Sequence, residues 1–202
     1  PQAAGTSNLS ITVLKTALST ADVTVRTQDH GTPAATDPGN LTLVDPLDYD
    51  GIGATRTLTL QAHNNVIINA GILDSAPGGE SLNLVLNANN VANVSGTASG
   101  TGSVIITAPI NTGGGTFAST GFDFSNNATG TITTGNGLVN ISHDRNVTIN
   151  GAISAGAGAV TINGGQTTAG VITLGAPITG SSVTGNGGAE AGTVNLNTTG
   201  AT

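Results

Sequence analysis

The chain has 202 residues, 7% of them charged and 2% aromatic, with 31 glycines and no cysteine, methionine or tryptophan. A charged fraction near a quarter and a supply of large aromatics are what one wide globular core uses, so such a core is excluded, as are disulfide staples and thiol chemistry. The net charge of −7, with Lys15, Arg26, Arg56 and Arg145 as the only cations, argues against nucleic-acid binding. No run approaches the roughly 18 apolar residues of a membrane span, so the chain is expected not to insert in a membrane.

Residues 1–8 are polar and read as a frayed lead-in. Leu9-Ser10-Ile11 opens a first strand, Val13 to Leu18 supports about one turn of helix, and Thr16 to Thr20 turns. Elsewhere glycine and β-branched residues dominate, and both disfavour helix. Asp22 to Thr27 (DVTVRT) alternates, with Val23 and Val25 on one face. Residues 28–40 are rich in Gly, Pro and Asp and read as an outward loop. Leu41 to Val44 is the next strand, and residues 45–55 read as a second outward loop. Both loops are expected to interrupt regular coils without adding core, and such loops on a rigid scaffold suit partner binding.

Arg56 to Ser75 (RTLTLQAHNNVIINAGILDS) follows as strand, tight turn, strand, corner and short strand. Leu58 and Leu60 alternate with Thr57, Thr59 and Gln61, and His63-Asn64-Asn65 supplies turn chemistry. Val66-Ile67-Ile68 resumes the apolar run, and Ala70-Gly71 makes a corner before Ile72. Further on, Ser81 to Ala88 alternates Leu82, Leu84 and Leu86. Val91 and Val94 give a weak strand signal, and Val104 to Ile110 a firmer one. Gly113 to Gly115 breaks the chain, as Gly135 to Gly137 does later, and both read as tight corners because neither is followed by Lys-Ser or Lys-Thr or by a helix. Phe122-Asp123-Phe124 puts both rings on one face, filling a wider interior, covering a coil face or offering a sugar-stacking patch. Strand signals continue at Thr131 to Thr133, Val139 to Ile153, Ala159 to Asn163, Val171 to Leu174 and Thr193 to Asn197.

The segment Val139 to Ile153 (VNISHDRNVTINGAI) aligns without a gap on Leu58 to Ile72. Asn65, Val66, Asn69 and Ile72 match Asn146, Val147, Asn150 and Ile153, while Leu58, Leu60 and Ile68 fall on Val139, Ile141 and Ile149. Looser echoes, Val104 to Ile110 and Val171 to Ile178, both end in Ala-Pro-Ile. Short strands, turns of few residues and small aliphatics in register predict an all-β fold, a right-handed parallel β-helix. Residues 1–202 are expected to form a single β-helical segment, and the abrupt ends suggest a piece of a longer rod. A coil of roughly 20–25 residues climbing about 4.8 Å predicts about 8 to 10 coils and a rod about 40 Å long. Cut ends of such a rod would leave unpaired strand edges and invite edge-to-edge self-association.

LTLQAHNNVIINAGI at Leu58 to Ile72 resembles the repeats of filamentous-haemagglutinin-like exoproteins of bacterial two-partner secretion. Ser19 to Asp45, with DVTVRT and PGNLTLVDP, is similar to the high-molecular-weight adhesins of that group, and Val147 to Gly165 has the same character. The resemblance spans about residues 9–175. It implies a non-enzymatic shaft of a secreted or surface-held adhesin, exported by an outer-membrane β-barrel transporter, with a host receptor or glycan as a further partner. No Asn-Pro-Asn motif of the family's secretion domain is present, which places the segment beyond that domain.

Chemistry is sparse, and the sequence assigns no catalytic, cofactor-binding or metal-binding residues and no cofactor. Asp123, Asp144 and Glu190 are isolated, whereas glycoside hydrolysis wants two carboxyls on one groove. His143-Asp144-Arg145 reads as a turn on an exposed corner, and no serine has a histidine partner suggested by its context. Asp45, Asp48 and Asp50 beside Gly51 are the densest carboxylates; they suit calcium only poorly, because no acid closes the far end of a calcium loop. The alternatives to a shaft are a carbohydrate-binding or polysaccharide-degrading β-helix, or an ice binder. For ice, irregular coil lengths are expected to spoil the ladder that Thr57-Leu58-Thr59 and Thr131-Ile132-Thr133 would need.

Overall fold

A computed structural model describes residues 7–27, 39–76, 78–89, 100–188 and 193–196. One helix, α1 (Ile11–Leu18), precedes the strands. The first coil holds β1 (Val23–Arg26), β2 (Leu41–Leu43) and β3 (Leu47–Asp48), and the second β4 (Arg56–Gln61), β5 (Val66–Ile68) and β6 (Ile72–Leu73). The third holds β7 (Leu82–Asn87), β8 (Val104–Ile106) and β9 (Ile110–Asn111), and the fourth β10 (Phe117–Gly121), β11 (Phe124–Asn126) and β12 (Ile132–Thr133). The fifth holds β13 (Val139–His143), β14 (Val147–Ile149) and β15 (Ile153–Ser154), and the sixth β16 (Ala159–Asn163), β17 (Val171–Leu174) and β18 (Ile178–Thr179). A seventh begins with β19 (Ser182–Asn186) and β20 (Thr193–Leu196).

Each coil gives one strand to each of three sheets, ordered β1-β4-β7-β10-β13-β16-β19, β2-β5-β8-β11-β14-β17-β20 and β3-β6-β9-β12-β15-β18. Neighbouring strands pair in parallel. The fold is a parallel β-helix. Its hydrophobic core is a set of vertical columns, because alternate residues of strands such as β4, β7, β13 and β16 point inward. One column stacks Leu58, Leu84, Phe117, Val139 and Val160, all almost fully buried. A second stacks Val66, Val104, Phe124, Val147 and Ile172, and a third Ile72, Ile110, Ile132 and Ile153. Each such side chain contributes about 1.5–3 kcal/mol by leaving water. No single layer is wide, which is why small and β-branched residues suffice.

The gap-free sequence repeat is a structural repeat: β4-β5-β6 and β13-β14-β15 occupy the same places in their coils. Val66 and Val147 are both fully buried. The two Ala-Pro-Ile echoes also coincide, for the carbonyls of Pro109 and Pro177 accept from the amides of Ile72 and Ile153, each at 3.0 Å.

Six coils and part of a seventh are formed by the described residues, fewer than 8 to 10. The difference lies in connections. Val23 pairs with Leu58, 35 residues on, and Leu84 with Phe117, 33 on, whereas Phe117 pairs with Val139 after 22. The extra residues enter between the first and second sheets, where 14 residues join β1 to β2 and 16 join β7 to β8. The corner between the second and third sheets holds three residues in five of the six coils. Irregular coil length leaves the strand ladders in register, but the two Thr-x-Thr segments form no common ladder: Thr57 and Thr59 pair with Asn83 and Val85 in the first sheet, and Thr133 with Asn111 and Ser154 in the third.

Other expectations are corrected. Ile11 does not belong to a strand; it begins an eight-residue helix. So short a helix is marginal alone. It forms because Leu14 and Leu18, four apart on one face, are buried in the core at the first coil, and because Arg56 Nε donates to the Leu18 carbonyl at 3.0 Å. A cation at a helix C-terminus is favourable. The helix packs against β1, β3 and β4, so the first coil is not a bare cut edge. Residues 45–55 are not an outward loop lacking core: β3 pairs with β6 there, and Leu47, Tyr49 and Ile52 are buried. The apolar residues of DPLDYDGIGA are masked in the sequence by Asp, Pro and Gly around them. The other expected loop, 28–40, lies outside the described residues up to position 38, as do Val91 and Val94. Strands β10 and β19 carry serine, threonine and glycine and gave little sequence signal.

Candidate functional site

Three clusters of polar groups sit at corners of the coil, and a further pair lies inside it. Glycine corners come first. The hydroxyls of Thr112 and Thr134 donate to the carbonyls of Gly115 and Gly137, both at 2.6 Å, in successive coils. A Cβ on Gly137 would strike the Gly115 carbonyl, and one on Gly158 the Gly137 carbonyl. The triplets Gly113–Gly115 and Gly135–Gly137 are thus stacked tight corners, as expected, where backbone rests on backbone.

The second cluster holds Asp48 and Asp50. Asp48 Oδ2 accepts from the Ser75 hydroxyl at 2.6 Å, and Oδ1 from the amides of Asp50 and Ser75 at 3.1 and 3.2 Å. The Ser75 hydroxyl, more than the backbone amides, holds the Asp48 carboxyl below its usual range. The amide of Gly51 donates to Glu80 Oε1 at 2.6 Å, and Asp74 accepts from the amide of Ala76. Asp45 is exposed. These carboxylates hold backbone corners together and do not converge; among the described residues no three His, Cys, Asp or Glu side chains are placed to hold a metal ion. Inside this corner Tyr49 is fully buried, and its hydroxyl donates to the Asn111 carbonyl at 3.0 Å. Burial, reinforced by Asp74, Glu80 and Asp48, raises its pKa. A shallow groove of about 450 Å³ beside it, lined by Lys15, Ser19, Pro46 and Asp48 among others, presents one ammonium and a carboxylate already engaged.

The third cluster lies where β13 turns into β14. Arg145 Nε donates to Asp123 Oδ1 at 2.9 Å and Nη2 to Oδ2, and the guanidinium lies 4.4 Å over the Phe122 ring. Asp123 Oδ1 also accepts from the Asn146 amide at 2.9 Å. Burial alone would raise the Asp123 carboxyl; the hydrogen bonds from Arg145 and Asn146, with the Arg145 charge, bring it below its usual range. One coil on, Asn146 Oδ1 accepts from the Val171 amide, and two coils earlier Asn65 Oδ1 accepts from the Ser103 amide. Asparagine or aspartate at this corner therefore bonds its coil to the next wherever the corner carries one. Phe122 and Phe124 do not share a face: Phe124 is buried in the interior with Phe117, and Phe122 stays half-exposed under Arg145.

His143 overturns two expectations. It is 1% exposed and points inward, so HDR is not wholly an exposed turn. Its Nε2 lies 2.8 Å from the hydroxyl of Ser119, also buried, so a serine does have a histidine partner. The ring tilts against Phe124 at 5.4 Å between centroids. Space for it exists because the neighbouring strand carries Gly121 opposite it; a Cβ there would lie 3.3 Å from His143 Cε1. In the aligned copy the same inward position is Ala62, also fully buried. That one-residue offset between the two histidines was visible in sequence and was the available signal. The pair resembles half of a nucleophilic triad but lacks its parts. Among the described residues Nδ1 of His143 has no hydrogen-bond partner to orient it, and Ser119 is enclosed. Burial lowers the His143 pKa to about 3, against the opposing pull of Asp123, so the ring is neutral at pH 7.

The class these features define is a parallel β-helix whose polar residues serve its corners and interior. No family model, curated protein or solved structure matches the chain.

Proposed function

We propose that the chain is a non-enzymatic shaft segment of a large secreted bacterial surface adhesin, which projects a binding region or contributes to attachment to host cells, matrix or biofilm. One observation carries this reading: three sheets run the length of the stack in unbroken register, each coil bonding to the coils beside it. Such a stack holds position along one axis at low cost in charge or cofactor. The likeness of Leu58–Ile72 and Val139–Ile153 to filamentous-haemagglutinin-like repeats supports the same reading. With it come export through an outer-membrane β-barrel transporter and a place at the cell surface. The polysaccharide-degrading alternative gains no support from the acids, since Asp48 is engaged by Ser75 and Asp123 by Arg145. The test is a swap in bacteria that display the parent adhesin. Deleting the segment should lower attachment, and an unrelated β-helix with the same number of coils should restore it. Loss of attachment that the substitute does not restore would reject a spacer role.

A further inference from the structure

Asn136, Asn150, Asn163 and Asn186 are each followed by glycine, and the fold holds them differently. Glycine has no side chain to shield its amide nitrogen, so that nitrogen can attack the side-chain carbonyl carbon of the asparagine before it. The attack needs a backbone able to turn, a side-chain amide that nothing holds, and a following N–H with no hydrogen bond to break. Asn163 and Asn186 end β16 and β19, where strand pairing keeps the backbone extended. The Gly164 amide also donates to the Asn186 carbonyl at 3.0 Å, and Asn186 Oδ1 accepts from the Gly188 amide at 3.0 Å. Asn136 stands at a corner, but its Oδ1 accepts from the Ala157 amide at 3.0 Å, and the Gly137 amide donates to the Thr134 carbonyl at 3.3 Å.

Asn150 alone of these satisfies every condition. It follows β14 at the corner into β15, and its side chain is exposed. Among the described residues that side chain makes no hydrogen bond, and neither does the Gly151 amide. The aligned copy supplies the contrast. There Asn69 Oδ1 accepts from the Thr107 hydroxyl at 3.0 Å, and Ala70 puts a methyl group where Gly151 has none.

We propose that Asn150–Gly151 is a site of spontaneous covalent modification, at which Asn150 deamidates with water as the only co-reactant. The Gly151 nitrogen loses its proton and bonds to Asn150 Cγ, the Cγ–Nδ2 bond breaks, and the side-chain nitrogen leaves as ammonia. Water then opens the cyclic imide at either carbonyl, giving aspartate or isoaspartate. Either product places a carboxylate in a stretch that has no charged residue between Arg145 and Glu190. Isoaspartate also lengthens the main chain by one carbon at a three-residue corner, whose ends are pinned where the Asn150 amide donates to Asn126 and the Ile153 amide to the Pro177 carbonyl. Each folded molecule therefore gains charge with age at one fixed place. The chemistry is independent of the shaft reading, and either can fail alone.

The test is to hold the 202-residue chain at mildly alkaline pH and follow each asparagine by peptide mapping and mass spectrometry. Deamidation reads as a gain of about one dalton. In the folded chain Asn150 should convert about tenfold faster than Asn163 or Asn69, since it has no hydrogen bond to break first. In strong urea the Asn–Gly pairs should converge on one rate. Isoelectric focusing of the aged protein should show a new acidic band that Asn150→Gln removes and Asn163→Gln keeps, with circular dichroism checking that both variants fold. Equal conversion at all the Asn–Gly pairs of the folded chain, a different asparagine in the lead, or an Asn150 lead that urea leaves unchanged would overturn the proposal. So would an acidic band that survives Asn150→Gln.

Discussion

Replacing His143 by alanine should remove most of the acid sensitivity of the fold between about pH 6.5 and pH 4. Burial holds the folded pKa near 3, against 6.5 for the free side chain. The unfolded state therefore takes up the proton first, and stability is fully present above about pH 6.5. It is lost as the pH falls toward 3, at a slope approaching about 1.4 kcal/mol per pH unit. Across the whole window the loss is on the order of 4–5 kcal/mol. The lowered carboxyls of Asp48 and Asp123 lose their contribution only around and below their ordinary value of 3.8, so they do not explain the upper part of the window. At neutral pH the variant should be less stable by about 2–4 kcal/mol, because the Ser119 hydroxyl loses its partner and a cavity opens beside Phe124. Ser119→Ala combined with His143→Ala should cost less than the two changes summed. The assay is urea unfolding at pH steps from 7.5 to 4, followed by circular dichroism. If His143→Ala and wild type lose stability in parallel over that range, the argument from the buried imidazole fails.

Gly137→Ala should destabilise strongly, because its Cβ meets the Gly115 carbonyl, whereas Gly53→Ala, with open space around it, should cost only about 1 kcal/mol for its positive φ; thermal melts compare the two. Arg145→Ala should destabilise only slightly, and less as salt rises, since the ion pair with Asp123 is partly exposed; urea titrations at two ionic strengths measure it. Leu18→Glu should lift α1 from the first coil and expose strand edges, so sedimentation should show concentration-dependent association that the wild type lacks. Tyr49→Phe should cost about 1 kcal/mol in a neutral-pH melt, because the half-buried Asn111 carbonyl loses its donor.

The architecture was legible because its cause is local and repeated. Leu58, Leu60, Val66, Ile68 and Ile72 are all inward, and so are their five counterparts from Val139 to Ile153. Period-two alternation at fixed turn lengths leaves little freedom. Where the turn lengths change, the reading weakens. The coil count overshot because residues in long connections were counted as wall. Strand β3 was hidden since a two-residue strand carries no period, and its burial is dictated by β6 above it. Helix α1 was underestimated because its stability comes from the core it covers. The chemistry was harder still. Ser119 and His143 are 24 residues apart, and only the coil repeat brings them together. Asp48, a poor calcium ligand by its spacing, is held by Ser75, a partner one coil away that the sequence does not point to.

The corner between the first and second sheets takes 2 residues in one coil and 16 in another, while the opposite ladders stay aligned. New peptide can therefore be grafted along that seam without re-tuning the wall. A cassette placed after β4, where four residues now suffice, would stand between the two long connections and leave the hydrogen-bonding of every strand intact. The widest range of connection length in the molecule thus falls on one edge.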